Sequence, residues 1–398
     1  MQISHRTRTF PTRLGAFLSI VLLTLALTGC ATSRPAISNE PMPFEQAIEF
    51  ATDALAEQSG KLPGVLARLD KRAVVLDPTL DAGSGQQTAA TQRLDAAIVS
   101  RLTRNFVQLE VVPFSAANLS RSPYLLTGTL TRAQANYRLN LAMVDVKSGL
   151  VVAQSSSLAR PDGVDMSPLP YYRDSPVLVK DKVVDGYVRT SAMPPGDKAD
   201  ATYLERIATA AAINDATILY NAARYREALG AYRSAVATPA GEQIRVLNGI
   251  YLSAAKLGQT AEAEEAFGRL VAYGIASNAL GVKFLFNPGS TDFWSDPKVT
   301  SAYGMWLRQI ARQSGNAKVC MDIVGHTSKT GPESVNDALA LKRALYIKQR
   351  LTSESAEVGS RTRPQGMGSR QNLVGSGSDD VVDALDRRVE FAIQECAR

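Results

Sequence analysis

The sequence predicts an α+β protein of several domains: an N-terminal α/β sandwich, a central pair of helical repeats and a C-terminal β-α-β-α-β unit. Three observations carry that prediction. Residues 44–159 alternate helical and strand periodicities. Residues 201–276 are alanine-rich, and a motif within them returns 35 residues further on. Residues 280–398 pass from strand to helix, to strand, to helix, and close on a strand. A length of 398 residues suits two or three domains, and 45% apolar with 21% charged residues is ordinary for folded protein.

The first segment, MQISHRTRTFPTRLGAFLSIVLLTLALTGC, opens on Arg6, Arg8 and Arg13 and is apolar from about Leu14 to Leu27. Such a stretch is short for a membrane-spanning helix and suits a secretory signal. Its end, Leu27-Thr28-Gly29-Cys30, resembles the bacterial lipobox. That resemblance implies that residues 1–29 are a lipoprotein signal peptide, cleaved before Cys30, whose sulfur then carries lipid. An ordinary signal peptide or an uncleaved anchor helix is the alternative. Several acyl chains, at about 0.8 kcal/mol per buried CH₂, would hold the protein on a membrane almost permanently. Ala31 after the cysteine resembles lipoproteins sorted to the outer membrane, with domains facing the periplasm. Removing the segment leaves 41 basic and 38 acidic residues, a net charge of +3 in place of +6. With no dense Lys/Arg run interleaved with aromatics, nucleic acid is not an expected partner. Of three cysteines, Cys30 is consumed by lipid. Cys320 and Cys396 remain, either joined in an oxidising compartment or as two separate buried thiols.

Residues 30–43 are small, polar and proline-bearing, as expected of a lipidated tether. The N-terminal domain, 44–159, then reads as a helix near Phe44–Gln58, a strand at Arg72–Asp77 and a helix over Thr88–Asn105 with Leu94, Ile98 and Leu102 at helical spacing. Strands follow at Val107–Pro113, Tyr124–Leu130, Tyr137–Val146 and Leu150–Ser156, the last two flanking a Lys-Ser-Gly hairpin signal. One sheet and two helices are expected. The order, with YLLTGTLTR and VDVKSGLVVAQ, resembles the small periplasmic domains of CsgG-type and LpoB-type lipoproteins. Residues 160–200, rich in Pro, Asp and Gly without a sustained period, read as an extended linker whose Tyr171, Tyr172 and Tyr187 pack across neighbouring domains or dock a partner.

In the helical segment 201–276, Ala228 and Tyr232 are echoed by Ala263 and Phe267. This resembles tetratricopeptide repeats, whose small residues let paired helices approach and whose aromatics fill the gap. Two units make no long solenoid, so other elements must cover the ends. The resemblance implies a groove for protein or peptide; a helical spacer between two domains is the plainer alternative.

The C-terminal domain reads as a strand at Val282–Phe286, a helix through Trp306 and Ile310, a strand at Lys318–Val324, a long helix to Leu351, a Gly/Ser-rich segment and a final strand at Arg387–Ile393. The FLFNPGSTDF strand exit, Gly325-His-Thr327, Asn336-Asp-Ala-Leu-Ala-Leu-Lys-Arg343-Ala344, the Gly366-Met-Gly368 turn and Asp386-Arg387-Arg388-Val-Glu390 together resemble the peptidoglycan-binding domain of OmpA and the Pal lipoprotein. The resemblance implies a site for the stem peptide's diaminopimelate. Arg343 would take a carboxylate bidentately, beside the anion-favouring helix start. Thr327, Ser328, Asn336 and Arg387 would complete the set. Unliganded, Arg343 would be a surface helix charge paired with Glu333 or Asp337, and Arg387 and Arg388 would only frame the domain. The chain departs from the family at Ser328, where a carboxylate for the ammonium is expected, and Asp386 is a candidate to restore it. A charge-assisted hydrogen bond is worth roughly 1.5–3 kcal/mol, so its loss would weaken binding by ~10–100-fold. His326 reads as a turn residue whose imidazole satisfies nearby backbone. In the family's sheet the last strand lies antiparallel beside the second, which implies that Cys320 and Cys396 are joined.

The mature chain's single histidine offers no HExxH motif, and there is no G-x-S-x-G elbow or phosphate loop ending in GK[S/T], so no enzyme is expected. No cofactor or metal is expected beyond the lipid on Cys30. Two functions stay open: a tether between outer membrane and peptidoglycan that also presents interaction modules to a periplasmic protein partner, and an adaptor of a secretion or envelope-assembly machine whose C-terminal domain docks protein.

Overall fold

The computed structural model describes residues 1–2, 36–60, 71–287, 289–373, 377, 383 and 386–396; the signal segment, the lipobox and Cys30 lie outside them. The N-terminal sheet contains β1 (Ile37–Met42), β2 (Arg72–Leu76), β3 (Leu80–Asp81), β4 (Leu109–Val112), β5 (Tyr124–Ala133), β6 (Asn136–Asp145) and β7 (Val151–Ala159). Its order is β1-β7-β6-β5-β2-β4, with β3 beside β5. Helices α1 (Phe44–Ser59) and α2 (Ala89–Asn105) cover one face. Thr88 caps α2 by accepting from the Thr91 amide at 3.2 Å, and Leu94, Ile98 and Leu102 form its buried stripe. The serines of β7 fasten α1 down: Ser155 Oγ donates to the Ala51 carbonyl at 2.7 Å and Ser157 Oγ to that of Ala47 at 2.8 Å.

Two expectations for this half are corrected. Residues 37–42, expected as tether, form β1, parallel to β7 with Ile37 opposite Ser156. Its side chains are mostly exposed, so backbone pairing places it and no apolar pattern announces it. Part of the linker is also structured. Helix α3 (Lys182–Ser191), capped by Asp181 on the Val183 and Val184 amides, covers the second face of the sheet. The sheet therefore lies between two layers. Along β2, Val74 and Leu76 join the core with α1 and α2, while Val75 joins Val183, Val184 and Tyr187 on the other side. The Tyr187 hydroxyl accepts the Gly128 amide at 2.9 Å and lies 2.8 Å from the Gly128 carbonyl oxygen and 2.9 Å from that of Pro78.

Helices α4 (Ile207–Asn221), α5 (Tyr225–Val236), α6 (Ile244–Lys256) and α7 (Thr260–Ala276) form two hairpins. The repeated pairs, Ala228 and Tyr232, Ala263 and Phe267, are all buried. The two ends of this array are covered from outside it. Tyr171 and Tyr172 join its core on one side, and Trp306, on α8 (Tyr303–Ala317), stacks on Phe267 at 5.6 Å on the other.

The C-terminal sheet has the order β10-β9-β11-β8, from β8 (Leu280–Val282), β9 (Cys320–His326), β10 (Thr362–Gly368) and β11 (Val389–Gln394). Helix α9 (Glu333–Glu354) packs on β9 and β10. Three expected bounds shift. The first strand ends at Val282, and Phe284 and Phe286 are buried from a loop that Tyr303 Oη holds through the Leu285 amide at 3.0 Å. The second strand starts at Cys320, because Lys318 ends α8 in the left-handed region at φ 51°. Gly366-Met-Gly368, expected as a turn, finishes edge strand β10, which pairs parallel to β9.

β11 runs antiparallel to β9 with Gln394 opposite Cys320, and Cys320 is bonded to Cys396 across a Cα–Cα distance of 5.0 Å. The bridge spans 76 residues of sequence, for which the chain-entropy account gives about 4–5 kcal/mol of stabilisation. Thiol labelling of the unreduced, denatured protein should therefore leave both cysteines unmodified on peptide mapping. Label at both would mean that no such bond forms.

Candidate functional site

The site begins with two glycines. A Cβ on Gly325 would stand 2.2 Å from the Ala340 carbonyl oxygen, and one on Gly366 would stand 2.6 Å from the Leu341 amide nitrogen. These residues are partners across β9 and β10, so α9 lies directly on the sheet backbone there. That approach sets the loop leaving β9 against the first turns of α9. In the loop, the Thr327 amide donates to the Gly368 carbonyl at 2.9 Å, and Asn372 Nδ2 donates to the Thr327 carbonyl at 2.9 Å. Ser328 Oγ lies 3.2 Å from Thr330 Oγ1, and Asn336 Nδ2 donates to the Thr330 carbonyl at 3.0 Å. Ser328 and Asn336 thus meet at Thr330, Thr327 is held beside them through its backbone, and Ser328 is only 6% exposed.

Arg343 lies seven residues beyond Asn336, two turns along the same buried face and roughly 10 Å down the axis. It is not the surface helix charge that the sequence offers as the alternative to a carboxylate ligand. The residue is 3% exposed, with its guanidinium 4.9 Å over the Phe286 ring. Its Nε donates to the Ser290 carbonyl at 3.2 Å and its Nη2 to that of Asn287 at 3.3 Å. Arg343 therefore grips the loop that follows Phe286, and a ligand carboxylate has to share or displace those contacts. Glu333 and Asp337, offered by sequence as its partners, instead receive Arg370, at 3.3 Å and 2.7 Å. Arg370 was not singled out from the sequence, since a lone arginine after a Gly-rich strand end carries no motif.

Arg387 is buried just before β11. Asp386 does not restore an exposed carboxylate. It is fully buried and its Oδ1 accepts the Leu373 amide at 2.7 Å. His326 also differs from expectation. Its ring is buried at the end of β9, neither nitrogen bonds backbone among the described residues, and Nε2 is 3.5 Å from Glu390 Oε2. Burial pushes the Glu390 carboxyl up, but His326 and the charge of Arg388, whose Nε donates to it at 2.7 Å, outweigh that and hold it down near about 2. Among the described residues no group of three or more His, Cys, Asp or Glu side chains is placed to hold a metal. No helix among them is long and apolar enough to cross a membrane.

No family model and no curated protein matches the chain. Solved structures similar to it include the peptidoglycan-associated lipoprotein from Burkholderia pseudomallei, 25% identical over 29% of this chain and 89% of that one, with a TM-score of 0.24. A putative MotB-like protein from Desulfovibrio vulgaris is 18% identical over 35% of this chain and 96% of that one, with a TM-score of 0.25.

Proposed function

We propose that the chain is a lipid-anchored protein of the outer membrane whose C-terminal domain holds the stem peptide of peptidoglycan. Its N-terminal sheet and helical hairpins then face periplasmic protein partners. No reaction and no cofactor beyond the lipid on Cys30 belongs to this reading. The observation that supports it most is the close seat of Gly325 and Gly366 on α9. That seat sets the hydroxyls of Thr327, Ser328 and Thr330, the amide of Asn336 and, two turns on, the guanidinium of Arg343 beside the same helix-to-sheet contact. A guanidinium matches a peptide carboxylate, and hydroxyl oxygens accept ammonium protons without supplying charge, which makes for a weaker grip on a zwitterionic ligand.

A second reading, an adaptor whose C-terminal domain docks protein, is favoured by Arg343 itself. A guanidinium engaged with the Asn287 and Ser290 carbonyls serves the fold without any ligand.

Two experiments test these readings. Replacing Cys30 by Ala should abolish incorporation of labelled palmitate and release the protein from the membrane fraction. Acylation that persisted in that variant would contradict the anchor. On isolated sacculi, Arg343→Ala should lose measurable retention, while Ser328→Asp should strengthen it by up to ~100-fold. Both effects should shrink as salt rises. Circular dichroism and thermal melts establish first that each variant is folded. Retention of Ser328→Asp but not of the wild-type chain would favour the adaptor, and equal retention of Arg343→Ala and wild type would remove Arg343 from the site.

A further inference from the structure

Beside the candidate loop, the N-terminal and C-terminal domains enclose an open cleft of about 460 Å³. Its floor is a backbone contact: a Cβ on Gly83, in the loop after β3, would stand 2.8 Å from the Leu373 carbonyl oxygen. The stretch that meets Gly83 also holds the candidate loop, through Asn372 Nδ2 on the Thr327 carbonyl. The cleft is lined from one side by Thr131, Arg132 and Gln134 at the end of β5, and from the other by Lys329 and Arg370. Lys329 directly follows Ser328. Arg370 is engaged by Asp337 and Glu333, whereas Arg132 and Lys329 make no ion pair with any described residue. The one carboxylate among the described lining residues, Asp81, is buried and turned to its own loop, accepting from the Ser84 amide at 2.9 Å and the Ser84 hydroxyl at 2.5 Å. Two cations from two domains, without an ion-pair partner among the described residues, thus face an open space next to Ser328.

We infer that this cleft is an anion subsite that takes a second carboxylate of the peptide held by the Thr327–Thr330 loop, with the N-terminal domain as its outer jaw. The inference rests on the wall-binding reading and specifies its ligand: a peptide with at least two free carboxylates, one near Arg343 and one between Arg132 and Lys329. Cations here also account for a site that dispenses with a carboxylate at Ser328. The ligand's negative groups are matched by charge, and its ammonium is left to hydroxyls and water.

The test is calorimetry on the full chain with two soluble stem tetrapeptides, one with free carboxylates and one with its carboxyl terminus amidated. Wild type should prefer the free acid. Arg132→Gln and Lys329→Gln should each lower affinity for it by about 2–5-fold, as for partly exposed ion pairs. Neither should change affinity for the amidated peptide, and Arg132→Lys should keep most of the preference. Equal affinity of wild type for both peptides, or an Arg132→Gln variant that still prefers the free acid as wild type does, would overturn the subsite and leave the wall-binding reading standing. Binding of neither peptide by the wild-type chain would sink both. Tight uptake of inorganic phosphate that Arg132→Gln abolishes, without peptide binding, would replace the carboxylate with a phosphate ligand and overturn the inference.

Discussion

Trp306 is the joint on which the two functional halves turn. Its ring stacks on Phe267 of the helical hairpins, its Nε1 donates to Tyr251 Oη at 2.8 Å, and Tyr303 and Phe284 of the C-terminal domain pack around it. One apolar core consequently runs from Tyr171 through Tyr232 and Phe267 to Phe391. Burial on that scale is the main force holding domains together. Residues 36–398 form one compact unit.

The junction between the N-terminal sheet and the hairpins joins an apolar cluster, in which Val75 and Leu125 meet Tyr203, Ala210 and Ala211, to buried polar contacts. Asp77 accepts the Tyr203 hydroxyl at 2.6 Å, and within the N-terminal domain Asp95 takes both the amide and the hydroxyl of Thr79. Burial pushes both carboxyls up, each to about 7. A carboxyl raised above its unfolded value binds its proton more tightly when folded. Its contribution is full below the ordinary carboxylate range and is lost as pH climbs towards 7. Glu390 behaves in the opposite sense: its contribution is present above its unfolded value and fades as pH falls towards about 2. Asp77 and Asp95 on one side, and Glu390 on the other, thus contribute at opposite ends of the acid range.

Much of this architecture was legible in the sequence. Helical spacing located α2, the offset repeat located the paired helices, and the Gly-His-Thr and Asn-to-Arg motifs located the loop and helix of the site. What escaped did so for physical reasons. β1 is placed by backbone hydrogen bonds that have no side-chain signature. α3 lay in a segment whose prolines, glycines and aspartates read as irregular, although Asp181 is a helix cap. The order of elements led to one sheet and two helices, whereas the unalternating Val74-Val75-Leu76 and Leu125-Leu126 runs match a sheet buried on both faces. At the site, residue types were readable but their commitments were not. Arg343 spends its fork on the Asn287 and Ser290 carbonyls, Arg370 takes the acids assigned to Arg343, and Asp386 is sealed inside. Which donors face a ligand depends on contacts made by loops distant in sequence.

The central claim is that a peptide ligand seats between the Thr327–Thr330 loop and Arg343 at the middle of α9. Hydrogen–deuterium exchange on the full chain, with and without saturating soluble stem tetrapeptide, tests it most directly. The account predicts slowed exchange in the amides of 327–337 and 286–293, where the loop and the Arg343-held segment meet the ligand, with the helical hairpins unchanged. Protection confined to the hairpins, or no protection at any peptide concentration, would contradict it.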